Sequence, residues 1–474
     1  MEGERAGPRL RGQRALVMGL GTRHGGVGVA RYLAGAGAEV TVTDLRPAAE
    51  LGGALEALAG LPIRYVLGEH RPEDFTGSDL VVRNPGVPAD SPWLALARSS
   101  GARIEMEMTL FFRACSAPIV GITGTKGKTT TSTLCAGILQ VDHPDTVLAG
   151  NMGASALDAL PRITPTTPVV LEISSFQLEG MGEHGQSPHV AVITNISQDH
   201  LNRYPSFDAY VEVKRNIARF QQPGDWLIVN RDDPLSWASR AAGPAATLPF
   251  GRGLDADTGA SLDGDRLVWR DGGREIDLCD AGELKLTGAH AALDALAATA
   301  AAIAAGAAAE DARRGLLAAE PVRDRQERVA TVGGVLYVND TTATAPAAVM
   351  AALDAFRERP VVLIAGGAGK GADLAAVLGR VAAEVKGVVL LDGSATPEFR
   401  RLLDVAGAHP VLGPFSVMDE AVRAATALAV AGDVVLLSPG VASFGIFRDE
   451  FERGEAFRRA VERLGAAGRD GVRR

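Results

Sequence analysis

Only three cysteines occur in 474 residues, Cys115, Cys135 and Cys279, and their spacing fits no metal-ligand pattern. So small and odd a set excludes a disulfide framework and points to a reducing compartment. The opening stretch MEGERAGPRLRGQ has no apolar core of the kind a signal peptide carries, so a cytoplasmic protein is expected. Long hydrophobic runs are lacking too. The nearest approach, 295–309, is mostly alanine, which favours a helix but is too weakly hydrophobic for a membrane span. Positive charge is in deficit: 48 Lys plus Arg stand against 57 Asp plus Glu, a formal charge of −9. A chain acidic overall carries no broad footprint for nucleic acid or an anionic membrane. Anionic ligands must then be held by glycine loops, helix N-termini or metal ions.

What is present is globular: 46% apolar and 22% charged residues, over a length that suggests two or three domains. Short apolar runs at 14–19, 39–44 and 79–83 alternate with helical stretches such as 27–36. That alternation predicts a parallel, doubly wound sheet. A second block, 115–321, carries strand-like runs at 118–122, 169–173, 190–194 and 226–230. A Gly- and Asp-rich stretch follows at 251–288, read as short hairpins or loops, and then alanine-rich helices. From 322 to 474 the alternation returns, with strands expected at 334–339, 360–366, 385–392 and 433–437. The expectation is three consecutive α/β domains, 1–114, 115–321 and 322–474: Rossmann-like, P-loop ATPase-like and Rossmann-like.

The strongest local signal is Gly121-Ile122-Thr123-Gly124-Thr125-Lys126-Gly127-Lys128-Thr129-Thr130, between an apolar strand and a helical run. In that context backbone N–H groups from Gly124 to Thr130 cradle phosphates, Lys128 meets the terminal phosphates, and Thr129 offers its hydroxyl to Mg²⁺. Ile122 stands where the strict Walker pattern has glycine. A second glycine loop, Gly19 to Gly28, is a broken dinucleotide fingerprint, since His24 occupies its third glycine position. Glu172 closes a strand, and His200 follows a strand end beside Asp199, a placement that favours a site.

The run G-I-T-G-T-x-G-K-T-T resembles the ATP site of the Mur ligases, which share it with folylpolyglutamate synthases. Leu171-Glu172-Ile173-Ser174-Ser175-Phe176-Gln177-Leu178 is similar to the E-x-S-S-F-Q-L segment of the branch that joins glutamate to a muramoyl-alanine. The resemblance implies that Glu172 binds Mg²⁺ and that Ser174, Gln177 and Asn151 contact the muramoyl substrate. Asn195 to Arg203 resembles N-x-x-x-D-H-x-x-R, implying that His200 helps hold a second Mg²⁺, and Lys214 matches the lysine the family carbamylates. In the first domain Asp44, Arg46 and Asn84 match positions that bind the UDP moiety. In the third, Arg325 and Asp340 match contacts to ATP phosphates and ribose. Lys370, Ser443 and Phe444 fall in the stretches that bind glutamate. Lys126, Ala291, Asp294, Asp324 and Thr342 depart from the family's motifs, which have asparagine, asparagine, asparagine, histidine and lysine there.

The implied reaction is carboxylate activation by ATP to an acyl phosphate, attack by the glutamate amine, and closure of the third domain to exclude water. The implied catalytic set is Lys128, His200 and Lys214, with metal held by Thr129, Glu172, His200 and Lys214. UDP-N-acetylmuramoyl-L-alanine and glutamate, D by resemblance only, are the implied substrates of a monomer. Alternatives are a folylpolyglutamate-synthase-like ligase, a noncatalytic nucleotide-binding subunit and, more remotely, a dehydrogenase.

Overall fold

A computed structural model describes residues 10–471 except 22–24, 153–154, 201–202, 287–289, 321, 345, 370–373, 409 and 444; the side chains of 347, 376 and 466–471 are also outside the description. The first sheet contains β1 (Arg14–Met18), β2 (Glu39–Asp44), β3 (Ile63–Leu67), β4 (Leu80–Arg83) and β5 (Arg103–Glu105), in the order β3-β2-β1-β4-β5. All its pairings are parallel. Strand order reverses beside β1, so a crevice opens at the carboxyl ends of β1 and β4, where ligands of such sheets bind.

The second sheet carries β6 (Ile119–Thr123), β7 (Val147–Gly150), β8 (Val169–Glu172), β9 (Val190–Ile193), β10 (Trp226–Asn230), β11 (Ala246–Arg252), β12 (Gly259–Asp263), β13 (Arg266–Asp271) and β14 (Arg274–Asp280). Its order is β14-β13-β12-β11-β10-β9-β6-β8-β7. β6 lies between β8 and β9, with Ile122 opposite both Glu172 and Val192. The loops after β6, β7, β8 and β9 therefore emerge side by side at one edge. The Gly- and Asp-rich stretch is more regular than its composition suggested. β12 to β14 pair antiparallel and extend the sheet, and Gly272 and Gly273, both at positive φ, supply the two-residue turn between β13 and β14.

The third sheet, β15 (Glu327–Val332), β16 (Val335–Asn339), β17 (Val361–Ala365), β18 (Gly387–Leu391), β19 (Val411–Phe415) and β20 (Val434–Leu437), has the order β15-β16-β20-β17-β18-β19. Only β15 runs antiparallel. A hydrophobic core covers each of its faces, which is why its parallel strands read as continuous apolar runs. By contacts the chain forms two compact units, one of residues up to Leu284 with Ala292–Ala319, the other Lys285–Ala291 with Glu320 onward. The first two sheets share the first unit and much of one core. Among the described residues no helix is long and apolar enough to cross a membrane. The alanine-rich stretch forms the helix Ala291–Ala304, buried along much of its length.

The helix Gly25–Gly35 packs tightly because three of its glycines, Gly25, Gly26 and Gly28, face backbone or buried side chains. A Cβ on Gly28 would overlap the buried Ser155, whereas one on Gly35 would meet nothing within 4 Å. Gly28→Ala should therefore cost about 1–3 kcal/mol through overpacking, read as a lowered thermal midpoint. Gly35→Ala should leave the midpoint unchanged or raised; equal losses in the two variants would contradict this packing.

Candidate active site

The chain between β6 and the helix Lys128–Leu139 wraps into a phosphate-type loop. Gly124, at φ 154°, lies so close to Thr194 that a Cβ would overlap its hydroxyl, and Gly127, at φ 81°, caps the helix. The loop is held by a ring of hydrogen bonds. Thr125 N donates to Asn195 O at 2.9 Å, Lys126 N to Asn195 Oδ1 at 3.0 Å, and Thr194 Oγ1 to Lys126 O at 2.6 Å. The Thr130 position falls in the helix's first turn. Lys128 Nζ folds back onto the carbonyls of Gly124 and Thr125, at 3.0 and 3.1 Å.

Lys214 reaches the same place from the helix Phe207–Arg219. Its Nζ donates to Thr123 Oγ1 at 3.0 Å and to Gly124 O at 2.9 Å, and the residue is only 1% exposed. Burial pushes its pKa well below that of an ordinary lysine and Lys128 adds to the push, while Asp199 and Glu172 pull partly back. Tyr210, Val211, Lys214, Ile217 and Ala218 are all buried on this helix. That three-and-four spacing is the signal that separates Lys214 from a surface lysine.

At the end of β8, Glu172 accepts from Thr129 Oγ1 at 2.6 Å and from Asn151 Nδ2 at 2.8 Å. Ser174 and Gln177 form a capping box on the helix Ser175–Glu183, with Ser174 N donating to Gln177 Oε1 at 2.9 Å. His200 has a positive φ of 53°, and its ring centroid lies 4.9 Å from that of Phe176. Burial lowers its pKa, Asp199 opposes, and Lys214, Lys128 and Lys126 lower it further. Neutral imidazole is the form that coordinates metal.

Lys128, Lys214, His200, Asn84, Asn151, Ser174 and Gln177 line one cavity of about 410 Å³. Glu172 adjoins it through Asn151, and Thr129 through Glu172, but neither is on its wall. The wall also holds residues to which the sequence assigned no role, among them Tyr210, whose hydroxyl lies 3.1 Å from Thr125 Oγ1, Phe176 and Glu107. Burial pushes the Glu107 carboxyl up to about 7 although Ser155 Oγ and Ala156 N donate to it at 2.6 and 2.9 Å. An acid opening a helix with the apolar run Leu110-Phe111-Phe112, Glu107–Ala114, is its signature in the sequence. In the first sheet, Asp44 accepts from Gly21 N and from the Arg46 backbone and guanidinium. Those bonds outweigh the effect of burial and hold its pKa low. His24, Gly153, Leu201 and Asn202 lie outside the described residues.

In the second unit, Asp340 accepts from Gln326 N at 3.2 Å and from Ser438 Oγ at 2.9 Å, at the carboxyl edge of β16 and β20. Arg325 sits between Asp324 and Gln326, both at positive φ. The Ser443 hydroxyl is buried with no hydrogen-bond partner among the described residues, while Lys370 and Phe444 lie outside them.

Among the described residues no three His, Cys, Asp or Glu side chains converge as a metal cluster. The fit to Mg²⁺ rests instead on the Thr129–Glu172 hydroxyl–carboxylate pair beside the phosphate loop. This is a sparse oxygen set of the kind that leaves room for water and phosphate ligands.

Residues 13–105, 122–302 and 324–441 match, in turn, the MurD-like N-terminal domain of Mur ligases, the Mur ligase middle domain and the Mur ligase glutamate ligase domain. The UDP-N-acetylmuramoylalanine–D-glutamate ligase of Roseiflexus sp. (strain RS-1) is 51% identical over 471 residues, covering 96% of this chain and 99% of that protein. The chain belongs to the Mur ligase family. The ligase of the same name from Symbiobacterium thermophilum is 38% identical over 461 residues, covering 97% of this chain and 100% of that one. Among solved structures, the UDP-N-acetylmuramate-alanine ligase of Thermotoga maritima shares the fold with TM-score 0.60 at 21% identity, over 96% of this chain and 100% of that one. A pseudomurein peptide ligase type C from Methanothermus fervidus does so with TM-score 0.58 at 19% identity, over 95% and 99%.

The departures from the family's motifs are built into local networks. Asp324 accepts from Asn339 Nδ2 at 2.9 Å and Arg458 at 2.8 Å, and Thr342 Oγ1 donates to the Asp324 carbonyl at 2.9 Å. Asp294 is buried against Gly127 and accepts from Thr131 Oγ1 at 3.4 Å, while the Lys126 side chain is exposed.

Burial pushes the Asp340 carboxyl up from 3.8 to about 7, against the hydrogen bonds from Ser438 and Gln326 and the charge of Arg325. Between those two values the folded state binds more protons than the unfolded one. Stability is therefore lost as pH rises through the window, and the loss is complete above about 7. Asp340→Asn removes that loss. Its thermal midpoint should gain on the wild type from about pH 4 to about pH 7 and hold that gain above; a difference independent of pH would contradict the assignment.

Proposed function

We propose that this chain is an ATP-dependent ligase joining D-glutamate to UDP-N-acetylmuramoyl-L-alanine through an acyl phosphate, in the cytoplasmic assembly of peptidoglycan precursor. The observation that carries the reading is one cavity in which Lys128, Lys214 and His200 meet the end of a phosphate loop, in a chain half identical to one ligase of that name.

In this reading the amides from Gly124 to Thr130 hold ATP, and Lys128 leaves its loop carbonyls to neutralise the γ-phosphoryl group as it moves to the alanyl carboxylate. Thr129, Glu172, His200 and Lys214 would hold two Mg²⁺ ions. Bound there, the ions would screen the repulsion between phosphate and carboxylate oxygens. Lys214 enters as a neutral amine, the form that attacks CO₂ to give a carbamate and a proton. That turns a buried neutral amine into an anion able to face a metal. Asn151, Ser174 and Gln177 contact the muramoyl peptide, and Asp44, Arg46 and Asn84 bind the UDP end. In the second unit, Arg325 and Asp340 serve the nucleotide, and Lys370, Ser443 and Phe444 serve the glutamate, whose amine attacks the acyl phosphate and expels phosphate.

Lys128→Ala should keep the fold and lose ADP formation by about 100-fold or more; near-normal turnover with UDP-N-acetylmuramoyl-L-alanine and D-glutamate would remove the loop from the mechanism. Lys214→Ala should fall comparably and recover in part with added short carboxylic acids. A loss that no such acid restores would discard the carbamate.

A further inference from the structure

Arg203 closes the Asp199-His200 segment and has no role in the reading above, yet its side chain is 14% exposed and heavily engaged. Its guanidinium donates to both oxygens of Glu179, at 3.3 Å from Nε and 2.9 Å from Nη2. The remaining donors reach the turn that follows β4: Gly86 O at 3.2 Å, Pro85 O at 3.4 Å and Val87 O at 3.2 Å. Its Cζ lies 5.0 Å from the centroid of Phe176, whose ring contacts that of His200. Arg83, at the end of β4 and fully buried, donates to Glu179 at 3.4 Å and to Val87 O at 2.9 Å. Glu179 thus sits between two guanidinium groups, one from the end of β4 and one from the segment that follows β9.

Asn84, Pro85, Gly86, Phe176 and His200 line the cavity, and Arg203 does not. We propose that Arg203 is a positioning residue for the UDP-muramoyl-peptide: it pins the Asn84-Pro85-Gly86 wall of the cavity to the Phe176–His200 wall, setting the width across which that substrate is gripped. The inference rests on the functional reading given above. A planar fork with five donors is what the arrangement uses, since one side chain must satisfy a carboxylate and three carbonyls lying in different directions. Lysine would keep the charge beside Glu179 but could not span to the turn.

The test is steady-state kinetics of Arg203→Lys and Arg203→Gln on the full-length protein, with each substrate varied in turn and the thermal midpoint recorded. Arg203→Lys should hold a near-native midpoint and raise KM for UDP-N-acetylmuramoyl-L-alanine about tenfold while leaving KM for ATP within about twofold. Arg203→Gln should exceed it in the same direction. Combined with Glu179→Gln, the loss should be smaller than the product of the single losses, because both act through one network. A fall in midpoint with KM values unchanged, or equal changes in KM for every substrate, would overturn the positioning role while leaving the ligase reading intact. Absence of wild-type turnover with this substrate would overturn both.

Discussion

Two lysines share one carbonyl. Lys128 and Lys214 both donate to Gly124 O, at 3.0 and 2.9 Å, and Lys214 does so from almost complete burial. Two ammonium groups on one oxygen repel each other, and burial and that repulsion both act against a charge on Lys214, with Asp199 and Glu172 opposing. The buried one is the one whose pKa falls. That constraint fixes the character of the site: one lysine on the cavity wall, and behind it a buried one that holds its proton less tightly than an ordinary lysine.

The sheet order makes the convergence inevitable. With β6 between β8 and β9, the phosphate loop, the Glu172 strand end and the Asn195–His200 segment must leave one edge together. The helix Phe207–Arg219 then only has to bury its apolar stripe against the sheet for Lys214 to arrive beneath Gly124. The adjoining sheet adds the Asn84 turn from the carboxyl end of β4. The position is therefore set by backbone topology, and the side chains supply the charge.

The phosphate loop was legible from sequence because its glycines, lysine and hydroxyls are consecutive, and the strands flanking it are buried on both faces and read as unbroken apolar runs. Glu172, His200 and the residues of the first sheet were legible through resemblance, since each lies in a short motif. What stayed hidden depends on distance along the chain. Arg83 and Glu179 are 96 residues apart, and Arg203 meets Gly86 across 117; no local pattern marks such pairs. Glu107 was hidden for another reason, since one acid at a helix start looks like a capping residue until the fold buries it. The 251–288 stretch was legible as hairpins because its glycines serve the tight turns between antiparallel strands.

The account turns on Lys214 being an uncharged amine that takes up CO₂. Equilibrating the protein with ¹³C-bicarbonate and recording its carbon NMR spectrum tests this directly. The account predicts a carbamate resonance in the wild type that is absent from Lys214→Ala. A wild-type spectrum without that resonance, or one that the substitution leaves unaltered, would contradict it.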